Sequence, residues 1–148
     1  MKSMKLYAAL IVAPMLATVA VPSHAQNYPL IAGDYAEVTD IKVESGGGYE
    51  YASWLAGQWR KNQEFAKAQG WIKDYKIWSN VYNRSGEADI YLMVTMAGIP
   101  DGPEGERRSE AYRKFMAQSD QQMEAASGDR GKFRKVLGTA LLQELKFR

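Results

Sequence analysis

Two side-chain amides, Gln58 and Asn62, are the residues best suited to hold a ligand. They lie one helical turn apart in residues 49–70, where apolar residues recur at the spacing of an amphipathic helix, and both fall near the middle of its apolar face. A buried amide costs free energy unless it finds a partner, and an amide can donate to or accept from a ligand oxygen. The pair could therefore orient a mainly apolar molecule in a pocket. The alternative is that they bond to backbone or water, or that the helix rotates to expose them.

Aromatic residues are the second group that could contact a ligand. Trp54 follows the same helical stripe as the amides, and Tyr91 lies in a predicted strand, so both could line the pocket and stack on a flat molecule. The wider aromatic set comprises Tyr51, Trp54, Trp59, Trp71, Tyr75, Trp78, Tyr82 and Tyr91. Packing in a core or a dimer interface is the alternative role for all of them.

The first 25 residues are predicted to be a secretory signal peptide. Two lysines precede the 16 apolar-leaning residues 6–21, and small residues precede a cleavage site between Ala25 and Gln26. An uncleaved membrane anchor is the alternative, but the apolar run is interrupted by Pro14 and is shorter than the roughly 20 residues that span a bilayer. We therefore expect an exported protein, periplasmic or secreted, whose mature part has no membrane span.

Loss of the signal peptide changes the chemistry that the chain can offer. The whole chain has 19 Lys and Arg against 17 Asp and Glu, and removal of two lysines leaves 17 of each. This neutral balance gives no electrostatic footprint for nucleic acid. The only histidine, His24, leaves with the leader, and cysteine is absent, so imidazole and thiolate chemistry are excluded from the mature protein. We expect no cofactor and no metal, since Asp101, Glu104 and Glu106 fit helix capping better than a calcium loop.

The periodicity of the chain predicts six elements in the order strand, helix, strand, strand, helix, strand. The predicted strands are 35–44, 71–83, 89–97 and 139–148, and the predicted helices are 49–70, closed by Gly70, and 104–126. This order predicts a single α+β domain over 26–148 with a ferredoxin-like βαββαβ fold, in which a four-stranded antiparallel sheet carries both helices on one face. The basic segment 129–135 is predicted to be a solvated connection, with an anion site as the alternative.

The chain from residue 33 to 148 resembles the dimeric α+β barrel superfamily. The resemblance lies in the element order, the long aromatic first helix and the large side chains on both faces of the sheet. That superfamily includes antibiotic-biosynthesis-monooxygenase-like, muconolactone isomerase-like and EthD-like domains. The resemblance implies a homodimer with a pocket between sheet and helices in each subunit, suited to an aromatic or mostly apolar molecule. Its haem-degrading branch depends on a histidine that the mature chain lacks.

Three functions remain open on the sequence. The first is an exported homodimer that binds a small, largely apolar or aromatic molecule between the first helix and the sheet, with Trp54, Gln58, Asn62 and Tyr91 as the contacting residues. The second is a cofactor-free monooxygenase or isomerase that acts on an aromatic substrate. The third is an envelope protein-interaction dimer without a ligand.

Overall fold

A four-stranded antiparallel sheet forms the base of the structure. The computed structural model describes residues 28–148, so the predicted signal peptide lies outside the described residues. The strands are β1 (Leu30–Val43), β2 (Asp74–Ser79), β3 (Ile90–Met96) and β4 (Arg134–Phe147), in the spatial order β2-β3-β1-β4. This order confirms the ferredoxin-like α+β fold.

The two long strands differ from their predicted bounds. β1 begins five residues before the predicted start at Tyr35, and β4 begins at Arg134, so it includes the end of the basic segment that was predicted to be a connection. β1 pairs with β4 along almost its whole length, with register shifts after Ala32 and after Asp40. Backbone hydrogen bonding between β1 and β4 thus extends both strands into stretches whose side chains show no regular apolar pattern.

The first helix changes its geometry in the middle. It runs through α1 (Gly48–Trp54), a π-helical turn (Leu55–Trp59) and α2 (Arg60–Ala68). The wider π turn brings residues at four-residue spacing into line. As a result Tyr51, Leu55 and Trp59 are all buried against the sheet.

The first helix ends at Gly70, as predicted. Gly70 has a φ of 71°, a left-handed conformation that glycine adopts without steric cost. Its N–H donates to the carbonyl of Lys67, and the N–H of Trp71 donates to the carbonyl of Ala66. These two bonds form a Schellman motif, which satisfies carbonyls that the helix end would otherwise leave free.

The core lies between the first helix and the middle of the sheet. Its buried side chains are Ile41, Tyr51, Leu55, Trp59 and Leu92, and Val43, Trp54, Tyr75, Ile90 and Phe133 pack against them. Since successive strand residues alternate between faces, Leu92 in this core places Tyr91 and Met93 on the opposite face of β3.

The second helical region consists of two helices, so the prediction of one helix over 104–126 was wrong. α3 (Gly102–Met116) ends at Ala117, which has a φ of 50°, and α4 (Asp120–Asp129) begins at a capping box formed by Ser119 and Gln122. The capping box stabilises a new helix start, which overrides the continuous apolar stripe. A 3-10 turn (Arg130–Lys132) then leads into β4.

Asp101 caps the start of α3. Its carboxylate accepts a hydrogen bond of 2.8 Å from the N–H of Glu104, and a proline occupies the first turn. The predicted capping role is therefore confirmed for Asp101. None of the helices within residues 28–148 has the length and apolarity needed to cross a membrane.

Asp89 links the start of β3 to the end of β1, and it should make stability depend on pH. Its carboxylate accepts hydrogen bonds of 2.8 Å from Lys42 Nζ and from the N–H of Val43. The bond from Lys42, followed by that from Val43, holds the pKa of Asp89 below its ordinary value. A lowered pKa contributes stability above the ordinary Asp value of about 4, and that contribution is lost as the pH falls through the folded-state pKa.

We therefore expect Asp89→Asn to lower the free energy of unfolding by about 1 kcal/mol at neutral pH. The difference from wild type should shrink below about pH 4, because protonation then removes the same charge from the wild-type protein. Urea unfolding of both proteins at neutral and acid pH measures this difference. An equal difference at both pH values would contradict the assignment.

Candidate functional site

A cavity of about 120 Å³ lies between the first helix and the α3–α4 pair. Its lining residues are Trp54, Gln58, Asn62, Tyr112, Met116, Gln118, Met123, Ala126 and Arg130. The cavity is therefore lined by helical residues from both regions, and not by the first helix and the sheet as expected from the sequence. We call it the interhelical cavity.

The apolar stripe of the first helix divides into two rows, which explains this position. Tyr51, Leu55 and Trp59 face the sheet and are buried there. Trp54, Gln58 and Asn62 form a neighbouring row with the same spacing, and this row faces α3 and α4. Residues four apart lie on one flank of a helix, so both rows are continuous.

Aromatic packing holds α3 beside the first helix. The rings of Phe65 and Phe115 stack with centroids 4.0 Å apart and an interplanar angle of 10°. Trp71 makes an edge contact with Phe65 at 5.3 Å, and the Arg108 guanidinium lies 5.7 Å from the Trp71 ring centroid. Such contacts add to the apolar area that they bury, so they fix the spacing across the cavity.

The two predicted amides meet at the cavity and bond to each other. Gln58 Nε2 donates to Asn62 Oδ1 at 2.7 Å and also lies 3.4 Å from Met116 Sδ. Within residues 28–148, Gln58 Oε1 and Asn62 Nδ2 make no hydrogen bond. The pair thus satisfies half of its polar groups internally and keeps one acceptor and one donor for an occupant of the cavity.

Trp54 forms a wall of the cavity whose position is set by two neighbours. Its ring stacks on Tyr51 with centroids 5.8 Å apart and an interplanar angle of 11°. The guanidinium carbon of Arg130 lies 4.6 Å from the Trp54 ring centroid, within the range of a cation–π interaction. Trp54 therefore joins the first helix to the 3-10 turn after α4.

Tyr91 does not join these residues. It pairs in register with Asp40 on β1 and with Trp78 on β2, on the face of the sheet that is opposite to the helices. One residue of strand separates it from the buried Leu92, and that single step reverses the direction of the side chain. Of the four predicted site residues, the fold brings Trp54, Gln58 and Asn62 together and separates Tyr91 from them.

Five lining residues were not predicted as site residues: Tyr112, Met116, Gln118, Met123 and Ala126. Arg130 belongs to the basic segment 129–135, for which the sequence left an anion site as the alternative to a solvated connection. It is half-buried, and its Nε is buried without a hydrogen-bond partner in the part of the chain that the structure describes. Burial lowers the pKa of Arg130, and the positive charge of Arg134 lowers it further. The sequence favoured a solvated connection for this segment, because basic runs usually lie in solvent. The sequence signal for the position of Arg130 was the capping box Ser119-x-x-Gln122, which starts α4. This short helix brings the chain back to the first helix, and Arg130 follows directly after it.

Tyr51 supports the site without supplying a base. Its hydroxyl is buried and has no hydrogen-bond partner among the described residues. Burial raises the pKa of Tyr51 to about 12, and the charges of Arg134 and Arg130 only partly oppose this rise. The hydroxyl therefore stays protonated at neutral pH.

Three larger concave regions lie on the outer surface, and the smallest of them, of about 400 Å³, lies beside Gly47 and Phe133. One, of about 600 Å³, runs along the solvent side of the first helix near Arg60, Lys61 and Phe115. Another, of about 430 Å³, lies beside Trp71 and Arg107. All three are more open to solvent than the interhelical cavity, which is also lined by converging amides and a guanidinium. Polar contacts are stronger where water is excluded, so the smaller cavity is the better candidate.

The fold is similar to that in the crystal structure of HapK from Hahella chejuensis. The TM-score is 0.48 and the sequence identity is 6%, with coverage of 77% of this chain and 95% of HapK. No protein-family model matches the chain, and no curated protein sequence matches it either. The functional proposal therefore depends on the geometry of the interhelical cavity.

Proposed function

We propose that this chain is an exported homodimeric protein that binds a small, largely apolar or aromatic molecule in the interhelical cavity. The observation that carries the proposal is the convergence of Gln58, Asn62 and Trp54 on one partly enclosed space. Ligand sites are mostly apolar and use a few placed polar groups to fix orientation. The free acceptor of Gln58 and the free donor of Asn62 are such groups.

The cavity size limits what can bind. An apolar cavity of roughly 150 Å³ accommodates a single benzene ring. The interhelical cavity, at about 120 Å³, suits a molecule or a molecular end of similar or slightly smaller size. A phenol-like group meets the polar requirement, because its hydroxyl can donate to Gln58 Oε1 and accept from Asn62 Nδ2. The cavity is only partly enclosed, so part of the ring can extend beyond it.

We expect Asn62→Leu to weaken phenol binding about tenfold, since it removes the donor and breaks the amide pair. Stability should change little, because Asn62 is only half-buried and leucine favours the helix. Phenol titrations followed by chemical shifts of the Trp54 indole N–H measure the affinity. Gln121→Leu on the exposed side of α4 is the matched control and should bind phenol like wild type. Unchanged phenol affinity in Asn62→Leu, or no saturable shift in the wild type, would overturn the proposal.

The homodimer is proposed because the face of the sheet opposite to the helices exposes large apolar side chains. Cross-strand partners share a face, and the register places Val38, Trp78, Tyr91, Met93, Ala140 and Leu142 on the face opposite to the helices. We call this set the open face. Trp78 and Leu142 are 53% and 52% exposed there. The same register also places Asp40, Lys76 and Thr95 on this side of the sheet, so the surface is mixed. A sheet surface with large exposed apolar side chains is typically covered, and packing two such faces together gives a dimeric α+β barrel.

Interaction with another envelope protein is the second candidate, because further apolar residues are exposed along β4. Leu141, Leu145 and Phe147 are 50%, 57% and 88% exposed on this edge strand. Native mass spectrometry of the mature protein from its host envelope separates the candidates. A dimer with an added small mass supports the ligand-binding function, and a dimer with a second protein and no small mass supports the interaction function.

A further inference from the structure

We propose that Arg130 makes the interhelical cavity a site for a small organic acid, with a carboxylate joined to a flat apolar body. The inference rests on the proposed ligand-binding function and adds the charge of the ligand to it. The carboxylate would bond to the Arg130 guanidinium, and the apolar body would fill the space beside Trp54.

The first support is a positive charge without a compensating negative one. Arg130 lines the cavity, and within residues 28–148 it takes part in no ion pair. Its buried Nε has no hydrogen-bond partner there. Nε itself is closed to a ligand, but a half-buried cation without a counter-ion costs free energy, and an anion bound to the terminal nitrogens of the guanidinium would recover part of that cost.

The surrounding charges point in the same direction. The groups that act electrostatically on Arg130 are Arg134, Tyr112 and Tyr51. Arg134 adds a second positive charge, and burial raises the pKa of both Tyr112 and Tyr51, so both hydroxyls stay neutral. No side chain in the cavity lining of the described chain is a carboxylate. The local field therefore favours an anion over a neutral or cationic molecule.

The geometry of Arg130 suits a carboxylate in particular. Contact with the Trp54 ring at 4.6 Å holds the guanidinium against the aromatic surface. Ordering by this contact reduces the entropy that the side chain loses when it binds. A planar guanidinium presents pairs of N–H donors that match the two oxygens of a carboxylate.

A comparison of benzoate with benzamide tests the charge of the ligand, since the two molecules have nearly the same shape. Binding is followed by chemical shifts of the Trp54 indole N–H and the Arg130 Nε–H. We expect the wild type to bind benzoate roughly ten- to a hundredfold more tightly than benzamide. Arg130→Met should remove this preference, and Arg130→Lys should retain part of it.

Lys132→Met is the matched control. Lys132 lies two residues after Arg130 and carries the same charge. Its side chain is 78% exposed and paired with Asp129, so the substitution removes a positive charge outside the cavity lining. We expect it to keep the preference for benzoate, whereas a general effect of net charge would reduce the preference in both variants and would overturn the inference.

The outcomes separate this inference from the function on which it rests. Equal binding of benzoate and benzamide, with no effect of Arg130→Met, would overturn the acid site while phenol binding still supported a small-molecule pocket. Failure of benzoate, benzamide and phenol to shift either resonance would overturn both.

Discussion

Ile41→Ala is expected to lower the free energy of unfolding by about 2 to 5 kcal/mol. Ile41 is 2% exposed and packs in the cluster with Tyr51, Leu55 and Leu92 between sheet and first helix. Its truncation removes buried apolar area and leaves a cavity that the π-helical turn and the paired strands cannot easily close, since both are fixed by backbone hydrogen bonds.

Ile99→Ala is the matched control for this change, because Ile99 is 59% exposed in the loop before α3. We expect the control to stay within about 0.5 kcal/mol of wild type. Urea unfolding followed by far-UV circular dichroism measures both variants. A loss in Ile41→Ala no larger than that in Ile99→Ala would show that the core lies elsewhere.

Leu142→Glu is expected to convert the proposed homodimer into monomer. Leu142 is 52% exposed on the open face, where it would be buried in a face-to-face dimer. A two-fold axis places the substitution in the interface twice, so two carboxylates lose water without a partner. The cost of roughly 3 kcal/mol or more corresponds to an increase above a hundredfold in the dimer dissociation constant.

The neighbouring residue provides the control. Leu141 is 50% exposed, but strand alternation places it on the other face of β4. Leu141→Glu should therefore remain dimeric in analytical ultracentrifugation at concentrations where Leu142→Glu is monomeric. Equal dissociation of both variants would show that the interface does not distinguish the two faces, and a monomeric wild type would contradict the homodimer itself.

The first helical region was predicted as one helix and the structure has it as one, whereas the second was predicted as one helix and is two. The difference shows which local signals determine where a helix ends. The first helix could be predicted because its apolar repeat and its glycine cap agree, and Gly70 ends it as expected. The second region has an equally continuous stripe, but Ser119 and Gln122 interrupt it with a capping box. Capping depends on backbone hydrogen bonds at one position, which a periodic pattern over many residues does not register.

The sequence by itself determined the order of the elements, and with it the ferredoxin-like sheet. It also marked Trp54, Gln58 and Asn62 as neighbours, because residues three to four apart share one flank of any helix. These inferences succeed since helix and strand periodicities are local properties of the chain.

Only the tertiary structure decided what those residues face. The π-helical turn orients Tyr51, Leu55 and Trp59 toward the sheet, so that the neighbouring row of Trp54, Gln58 and Asn62 faces α3 and α4. The strand register places Tyr91 on the opposite face of the sheet. Arg130 lies 68 residues beyond Asn62 in the chain and reaches the same cavity because α4 folds back on the first helix. Contacts between residues so far apart depend on how whole elements pack, which no local pattern encodes.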